Sequence, residues 1–279
     1  MTGRRLPPPA AAQFYPLRQS LREDLETTVK QIAELGFHGV EPSLALSPDL
    51  VSIDAQKALG EAMPPMFDAA TLRPALDRHG LVAFAAHGPL PEGEHATWVL
   101  DQAEALGVEC IIVAAWMALG EGADRAHEDR DALTKVIERF DAAAEAASAR
   151  GLSIGFHNHF WEWQQNLGGG TAWDLFWQEV DPRVRAEVDV YWAHAAGRDP
   201  AKVVGALGER VHYLHLKDGP GTLDGAHTAL GEGVVDLGAV IAAARKARWH
   251  VVELDRCETD MLEAMGKSRA WLTERGYSS

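Results

Sequence analysis

The sequence of 279 residues predicts an α/β protein, a closed (β/α)8 TIM barrel, on three observations. A unit of amphipathic helix, glycine and short apolar strand recurs along the chain, and this unit is the step that builds a parallel sheet. Eight candidate strands alternate with helices and leave no long stretch unassigned. The sequence lacks the glycine-rich phosphate loop that usually follows the first strand of an open doubly wound sheet. A closed barrel is therefore favoured over an open sheet.

Each copy of the repeated unit ends its helix at a glycine, because glycine adopts the left-handed conformation that closes a helix at no steric cost. From Leu133 to Ala147, apolar residues keep the spacing of one buried helix face. Asp199 followed by Pro200 predicts the start of another helix. The four glycines are Gly36, Gly80, Gly107 and Gly151. The predicted strands lie near residues 12–17, 37–41, 81–87, 108–114, 152–158, 184–190, 211–217 and 249–255.

Composition and charge exclude several classes of protein. The chain has 26 Lys and Arg residues against 41 Asp and Glu residues, and its net charge of -15 opposes binding to nucleic acids and to anionic membranes. No apolar run reaches the roughly 18 residues that a membrane span needs. Two distant cysteines, Cys110 and Cys257, predict reduced thiols in a cytoplasmic protein. Residues 1–10 are predicted to form a flexible N-terminal tail, and residues 11–279 a single barrel domain.

Polar side chains at the ends of the predicted strands indicate where the chemistry lies. The active site of such a barrel is built at the C-terminal ends of its strands. The histidine and acidic residues found there are Glu41, His87, His157, Asp189, His215 and Glu253. Several carboxylates in one partly dry pocket repel each other and take up protons unless a cation neutralises them. Carboxylate and imidazole ligands suit one divalent metal ion, with Mn²⁺ first and Mg²⁺, Co²⁺ or Zn²⁺ as alternatives.

Five stretches of the second half of the chain resemble one known group of proteins. They are residues 155–163 (GFHNHFWEW), 186–192 (AEVDVYW), 212–218 (HYLHLKD), 230–236 (LGEGVVD) and 251–255 (VVELD). The sequence is similar to the sugar phosphate isomerase/epimerase family of the xylose-isomerase-like barrel superfamily. That superfamily also contains inosose dehydratases, hydroxypyruvate isomerases, lyases of oxidised glycosides and type-IV AP endonucleases.

The resemblance implies a metal ion held by Asp189, His215, Glu253 and one ligand from the fifth strand. Many relatives have a glutamate at the position of His157. A subgroup with the pattern His-Asn-His-x-x-Glu has a later glutamate, here Glu162. We expect Glu162 to be the ligand and His157 the adjacent base. Alternation along a strand puts His157 and Glu162 on opposite faces, so ligation by His157 itself stays open.

The resemblance implies a metal-dependent sugar or keto-sugar isomerase or epimerase. The metal would polarise a carbonyl, a base would remove the neighbouring proton, and an enediolate would form. The candidate bases are His157, His159 and Glu253. Lys217 and His87 are expected to hydrogen-bond the oxyanion, and Glu41 to bind a hydroxyl or act as an acid. The aromatic residues expected to contact substrate are Trp116, Trp161 and Trp192.

The same enediolate leaves other outcomes open. Loss of a β-substituent would make the protein a lyase or dehydratase acting on an inosose or a 3-keto-glycoside. A non-catalytic sugar-binding subunit would keep the barrel but lose the metal, and the intact Asp189, His215 and Glu253 oppose that interpretation. A nuclease would need three metals and a basic rim, which the net charge of -15 opposes. The expected partner is a neutral sugar, and a homo-oligomer is left open.

Overall fold

The computed structural model describes residues 6–51, 56, 63–120 and 122–279. Its strands are β1 (Ala10–Gln13), β2 (Gly39–Glu41), β3 (Ser43–Leu44), β4 (Met66–Phe67), β5 (Val82–Ala83), β6 (Ala85–His87), β7 (Cys110–Val113), β8 (Ser153–His157), β9 (Arg185–Asp189), β10 (Val211–Leu216) and β11 (Trp249–Val252). Its α-helices are α1 (Arg18–Glu23), α2 (Leu25–Glu34), α3 (Ala69–His79), α4 (Ala96–Leu106), α5 (Arg130–Ser148), α6 (Ala172–Glu179), α7 (Val190–Ala195), α8 (Pro200–Leu207), α9 (Leu237–Ala243) and α10 (Met261–Glu274).

These strands close into an eight-membered parallel barrel. Two barrel strands are interrupted, because Pro42 separates β2 from β3 and Phe84 separates β5 from β6. β2 pairs with β5 and β3 pairs with β6, and the ring then runs through β7, β8, β9, β10, β11 and β1 back to β2. The short β4 pairs with β3 at its other side. The predicted closed barrel is confirmed.

The local signals in the sequence correspond to real helix ends. The four glycines of the repeated unit have φ values of 85°, 68°, 83° and 74°, all in the left-handed region. Asp199 caps α8 by accepting a hydrogen bond from Lys202 N, and Pro200 occupies the first turn. In α5 the buried residues are Leu133, Val136, Ile137, Phe140, Ala143, Ala144 and Ala147, which is the predicted face.

The first strand lies earlier in the chain than predicted. The sequence predicts it near 12–17, whereas β1 covers Ala10–Gln13 and Tyr15–Leu17 form a 3-10 turn. Pro16 has no N–H to give to a strand ladder, so the ladder ends before it. The N-terminal tail predicted for residues 1–10 lies in part outside the described residues. Within the described part, Pro9 O accepts a hydrogen bond from His250 N at 3.1 Å.

The barrel interior is apolar at the N-terminal ends of the strands and polar at their C-terminal ends. At the N-terminal end of the strands, Phe84 stacks on Trp249 with ring centroids 4.6 Å apart, and Cys110 and Tyr213 are buried in the same cluster. Gly39 makes room for this plug, since a Cβ there would lie 2.9 Å from the Trp249 ring. The polar side chains therefore stand on a packed base and not in an open pore. Among the described residues, the structure has no helix with the length and apolar character needed to cross a membrane.

Candidate active site

The strand register brings the predicted polar residues to one end of the barrel. His157 on β8 pairs with Glu187 on β9, and Asp189 on β9 pairs with His215 on β10. Glu41 on β2 pairs with Gln13 on β1. The side chains of Glu41, Glu187, Asp189 and His215 are fully buried.

The His215 imidazole lies between carboxylates on both of its edges. Its Nδ1 is 2.6 Å from Glu253 Oε2. Its Nε2 is 2.6 Å from Glu41 Oε2 and 3.1 Å from Glu187 Oε2. Burial opposes a charge on His215, but the three carboxylates outweigh burial and raise its pKa well above the ordinary value. Without a bound cation, the ring is therefore an imidazolium that donates from both nitrogens.

His157 and His87 also contact this acidic cluster. His157 Nδ1 is 3.2 Å from Glu187 Oε2, and its Nε2 is 3.8 Å from Asp189 Oδ2. Burial, followed by the charge on His215, lowers the pKa of His157 to about 3, so this ring is neutral. His87 Nε2 is 2.8 Å from Glu187 Oε2 and 3.3 Å from Glu41 Oε2.

Lys217 follows β10 and neutralises part of the acidic cluster. Its Nζ is 2.9 Å from both Asp189 Oδ2 and Glu253 Oε2, and 2.8 Å from Asp255 Oδ1. Burial opposes its charge, yet these carboxylates raise the pKa of Lys217 well above its usual value. The group is therefore a permanent ammonium that can donate hydrogen bonds but cannot act as a base.

Three other carboxyl groups have raised pKa values. Burial is the main cause in each case: it raises the pKa of Asp189 to about 6, of Glu41 to about 7 and of Glu162 to about 8. Burial also acts on Glu187 and Glu253, but the cations beside them outweigh it and hold both pKa values well below the ordinary range. The cluster thus has more carboxyl groups than its own cations neutralise.

The donor atoms fit a divalent cation. Potential ligand atoms of His157, Asp189, His215 and Glu253 all lie within 4.8 Å of one another. A second group meets the same distance and consists of His87, His157, Glu187 and His215. Mixed imidazole and carboxylate donors are the set that Mn²⁺, Zn²⁺ and similar ions accept. A cation in the first group would share Asp189 Oδ2 and Glu253 Oε2 with Lys217.

The family of the chain follows from comparison with known proteins. The family model described as xylose isomerase-like TIM barrel matches residues 29–275. The chain belongs to this family. No curated protein matches the chain.

Solved structures with a similar fold include three that match nearly the whole chain. A sugar phosphate isomerase/epimerase from Parabacteroides distasonis ATCC 8503 is 21% identical with a TM-score of 0.77, and the match covers 100% of this chain and 98% of that one. A D-allulose 3-epimerase from Methylomonas sp. is 15% identical, TM-score 0.66, with 97% and 99% covered. A xylose isomerase-like TIM barrel protein from Mycobacterium smegmatis, in complex with magnesium, is 15% identical, TM-score 0.66, with 97% and 97% covered. At these identities the likeness shows the fold.

In this xylose isomerase-like barrel, a backbone clamp fixes Asp189. The Asn158 side chain is fully buried, with Oδ1 accepting from Asp189 N at 2.9 Å and Nδ2 donating to Asp189 O at 3.1 Å. Asp189 Oδ1 caps α7 by accepting from Trp192 N at 2.9 Å. The other oxygen, Oδ2, is left for Lys217 and the site.

Glu162 lies beyond the end of β8. The strand stops at His157, and Glu162 sits in the 3-10 turn Trp161–Trp163 with its side chain fully buried. Glu162 Oε2 accepts a hydrogen bond from His159 N at 3.0 Å. The end of the strand removes the constraint of alternation, and Glu162 is held through the backbone of His159, two residues after His157. The four-residue group above contains His157 and not Glu162.

The predicted aromatic residues divide into two places. His159 stacks on Trp161 with centroids 4.2 Å apart, and its ring is 6.3 Å from that of Trp192. Trp192 also lies 5.6 Å from Lys217 Nζ. Trp116 instead stacks on Phe156 at 5.0 Å, on the outer face of β8. The structure therefore brings Trp161 and Trp192 to the polar cluster and packs Trp116 between the sheet and the helices.

Sequence reasoning left several site residues unassigned. Glu187 contacts three histidines, and its signal was its position two residues before Asp189, on the same face of one strand. Asn158 could be suspected from its place between two site histidines. Asp255 pairs with Lys217. Asp218 accepts hydrogen bonds from four backbone N–H groups of the loop after β10, those of Gly219, Gly231, Gly233 and Val235.

Proposed function

We propose that this chain is a divalent-metal-dependent sugar or keto-sugar isomerase or epimerase. The observation that carries the proposal is the convergence of His157, Asp189, His215 and Glu253 at the open end of the barrel. A bound divalent ion would polarise a substrate carbonyl and so acidify the adjacent C–H bond. Mn²⁺ stays our first choice for the ion.

We assign the ligand from the end of β8 to His157. Its Nε2 faces Asp189 Oδ2, and its pKa of about 3 keeps a lone pair available at neutral pH. Glu162 is the alternative ligand, and its carboxyl would first have to lose a proton, because burial raises its pKa to about 8. The cation affinities of the variants His157→Gln and Glu162→Gln distinguish the two assignments. Only the variant that removes the true ligand should lose most of its cation affinity.

His159 is the base that fits best once His157 is a ligand. Burial, then the neighbouring His157 and Lys217, lowers the pKa of His159 well below its usual value, so the ring is neutral and one of its nitrogens has a lone pair. Its half-buried ring lies beside the indoles of Trp161 and Trp192, which suit the apolar face of a sugar. Glu253 and His157 are the remaining bases if Glu162 is the ligand. Lys217, a permanent ammonium, would hydrogen-bond the developing oxyanion.

The proposed substrate is an uncharged sugar. Lys217 is already held by three carboxylates and so does not offer a free cation to a phosphate group. Glu41 is fully buried beside His215, and its contact with a sugar hydroxyl or its action as an acid stays a prediction, as does a hydrogen bond from His87 to the oxyanion. A cytoplasmic location and the lack of a nucleic-acid partner are also proposals; a DNA-binding assay at several salt concentrations tests the second.

Proton exchange with solvent tests the proposal before the substrate is known. Ketoses, inososes and 3-keto-glycosides are incubated with the Mn²⁺-loaded protein in ²H₂O, and deuterium at the carbon next to the carbonyl is measured by mass spectrometry. We expect exchange with at least one class, and its loss in Asp189→Asn and after chelation. A protein that binds Mn²⁺ and a sugar but exchanges no proton would instead be a sugar-binding subunit.

A lyase or dehydratase is the second candidate, and Glu162 favours it. With a pKa of about 8 this carboxyl carries a proton at neutral pH and can donate it to a departing hydroxyl or alkoxide. In that reaction the C–H bond and the β C–O bond break, and a C=C bond forms. The same incubations distinguish the two outcomes, because elimination lowers the mass by the water or alcohol that is lost, whereas isomerisation changes the mass only by the deuterium taken up.

A further inference from the structure

The imidazoles of His157 and His215 lie between two sets of carboxylates in the polar cluster. His157 and His215 each turn one nitrogen toward Glu187 or Glu41, which we call the inner carboxylates. The other nitrogen of each ring faces Asp189 or Glu253, which we call the outer carboxylates. For His157 the two distances are 3.2 Å (Nδ1 to Glu187) and 3.8 Å (Nε2 to Asp189). For His215 they are 2.6 Å (Nε2 to Glu41) and 2.6 Å (Nδ1 to Glu253).

This arrangement decides where a proton and a cation can sit on each ring. A neutral imidazole has one N–H and one lone pair, on opposite nitrogens. A cation bound on the outer side takes the lone pair of each ring there, so the remaining N–H faces inward, where Glu187 Oε2 is placed to accept it. The lone pair is then directed outward. Ligand histidines commonly donate their second nitrogen to a carboxylate in this way, which fixes the tautomer and orients the ring.

Glu187 is placed to act on both rings at once. A single oxygen, Oε2, lies 3.2 Å from His157 Nδ1 and 3.1 Å from His215 Nε2. The same oxygen is 2.8 Å from His87 Nε2, which holds the carboxylate in position, and Gln13 Nε2 in turn lies 3.2 Å from His87 Nδ1. Glu41 contacts His215 from the same inner side and is fully buried.

We propose that Glu187 and Glu41 are positioning residues that fix the tautomers of His157 and His215, so that His157 Nε2 and His215 Nδ1 face the cation. This inference rests on the proposed function, because it takes the outer group as the metal centre. The inner group would then not bind a second cation, since its ring nitrogens carry protons. Glu41 would serve to orient His215.

Substitution of the inner carboxylates gives a distinct pattern for each residue. In Glu187→Gln, an amide replaces the carboxylate that faces both rings, and the NH₂ group of the amide cannot accept a hydrogen bond. The tautomers of both histidines are therefore disturbed. In Glu41→Gln the disturbance reaches His215 alone. Loss of such a partner typically weakens metal binding by about 10- to 100-fold. Glu187→Asp keeps a carboxylate and should retain more affinity than Glu187→Gln.

The experiment combines calorimetry with nuclear magnetic resonance on the full chain. Titration with Mn²⁺ gives the dissociation constant and the number of ions per chain. Spectra of the Zn²⁺-loaded protein labelled with ¹⁵N-histidine report which ring nitrogen carries the proton. The surface variant Glu109→Gln is the matched control, and circular dichroism confirms that each variant is folded. If Glu187→Gln fails to fold, Glu187→Asp and Glu41→Gln carry the test.

The expected result is one ion per wild-type chain, with the proton on Nδ1 of His157 and on Nε2 of His215. Glu187→Gln should bind 10- to 100-fold more weakly and alter both tautomers, and Glu109→Gln should match the wild type. Opposite tautomers in the wild type, unchanged affinity in Glu187→Gln, or two ions per chain would each overturn the inference and leave the metal centre standing. A wild-type chain that binds no ion would remove the metal centre itself.

Discussion

The clamp between Asn158 and Asp189 gives a prediction whose size follows from the structure. The Asn158 amide makes two hydrogen bonds to the Asp189 backbone, at 2.9 Å and 3.1 Å, and its side chain is fully buried. The substitution Asn158→Ala removes both bonds and leaves the Asp189 N–H and C=O without these partners. It also frees the start of α7, where Asp189 is both cap residue and proposed metal ligand.

Asn158 Nδ2 also donates a longer hydrogen bond of 3.3 Å to His159 O, and the cost is obtained by counting only the two Asp189 groups that lose a partner. A buried donor or acceptor left unsatisfied costs about 1–3 kcal/mol, so two groups predict a loss of about 2–6 kcal/mol in the free energy of unfolding. For a chain of this size, each kcal/mol lowers the melting temperature by about 2–4 °C, so we expect a drop of roughly 4–24 °C. The affinity for Mn²⁺ should fall by about 10-fold, because a loosened ligand must be ordered on binding.

Thermal unfolding and calorimetric titration with Mn²⁺ measure both effects. Asn166→Ala is the matched control, since Asn166 lies in an exposed turn and accepts one hydrogen bond, from Gly168 N. That variant should lie within about 1 kcal/mol of the wild type and keep its Mn²⁺ affinity. If Asn158→Ala melts within 2 °C of the wild type, about the effect of 1 kcal/mol, or binds Mn²⁺ equally well, the clamp does not hold Asp189 in place.

Three further predictions concern the base of the barrel and the loop after β10. Gly39→Ala should lower the free energy of unfolding, measured with urea, by about 1–3 kcal/mol, because its Cβ would lie 2.9 Å from the Trp249 ring. Gly205→Ala, with nothing within 4 Å, should be neutral or stabilising. Burial lowers the pKa of His250 from 6.5 to about 4, so the unfolded chain takes up a proton at a higher pH than the folded chain does. Between pH 6.5 and pH 4, the free energy of unfolding should therefore fall by about 3 kcal/mol more in the wild type than in His250→Gln. Asp218→Ala should speed amide hydrogen exchange in residues 219–235 by at least about 10-fold.

Each of these predictions has a result that would contradict it. Equal urea midpoints for Gly39→Ala and Gly205→Ala would mean that the barrel base adapts without cost. Parallel stability curves for the wild type and His250→Gln between pH 4 and 6.5 would show that His250 does not titrate as its burial requires. Unchanged exchange in the loop of Asp218→Ala would show that its backbone N–H groups do not depend on that carboxylate.

The sequence predicts the barrel because its signals are local and repeated. Glycines at 36, 80, 107 and 151 end helices wherever they occur, since the left-handed conformation depends on the residue and not on distant contacts. Alternation along a strand likewise places His215 and Lys217 on one face, because the period of two holds in every strand. The predicted position of the first strand was wrong because the apolar pattern continues through Pro16, which has no N–H to give to the hydrogen-bond ladder of a sheet.

The parts of the site that the sequence could not predict depend on depth and on loop direction. Alternation puts Glu187 and Asp189 on the same face but does not say that the first contacts three histidines from below. The relation of His157 to Glu162 depends on where β8 stops, which a run of polar and aromatic residues does not indicate. Trp116 follows a strand end, as Trp192 does, yet its loop turns outward and packs it on Phe156.

The central claim is that one divalent cation binds at the barrel mouth between the side chains of His157, Asp189, His215 and Glu253. Anomalous diffraction from a crystal soaked in Mn²⁺ tests this claim most directly. The account predicts a single strong manganese peak within coordination distance of all four side chains. A well-ordered crystal with no peak there, in which His215 keeps its hydrogen bonds to Glu41 and Glu253, would contradict it.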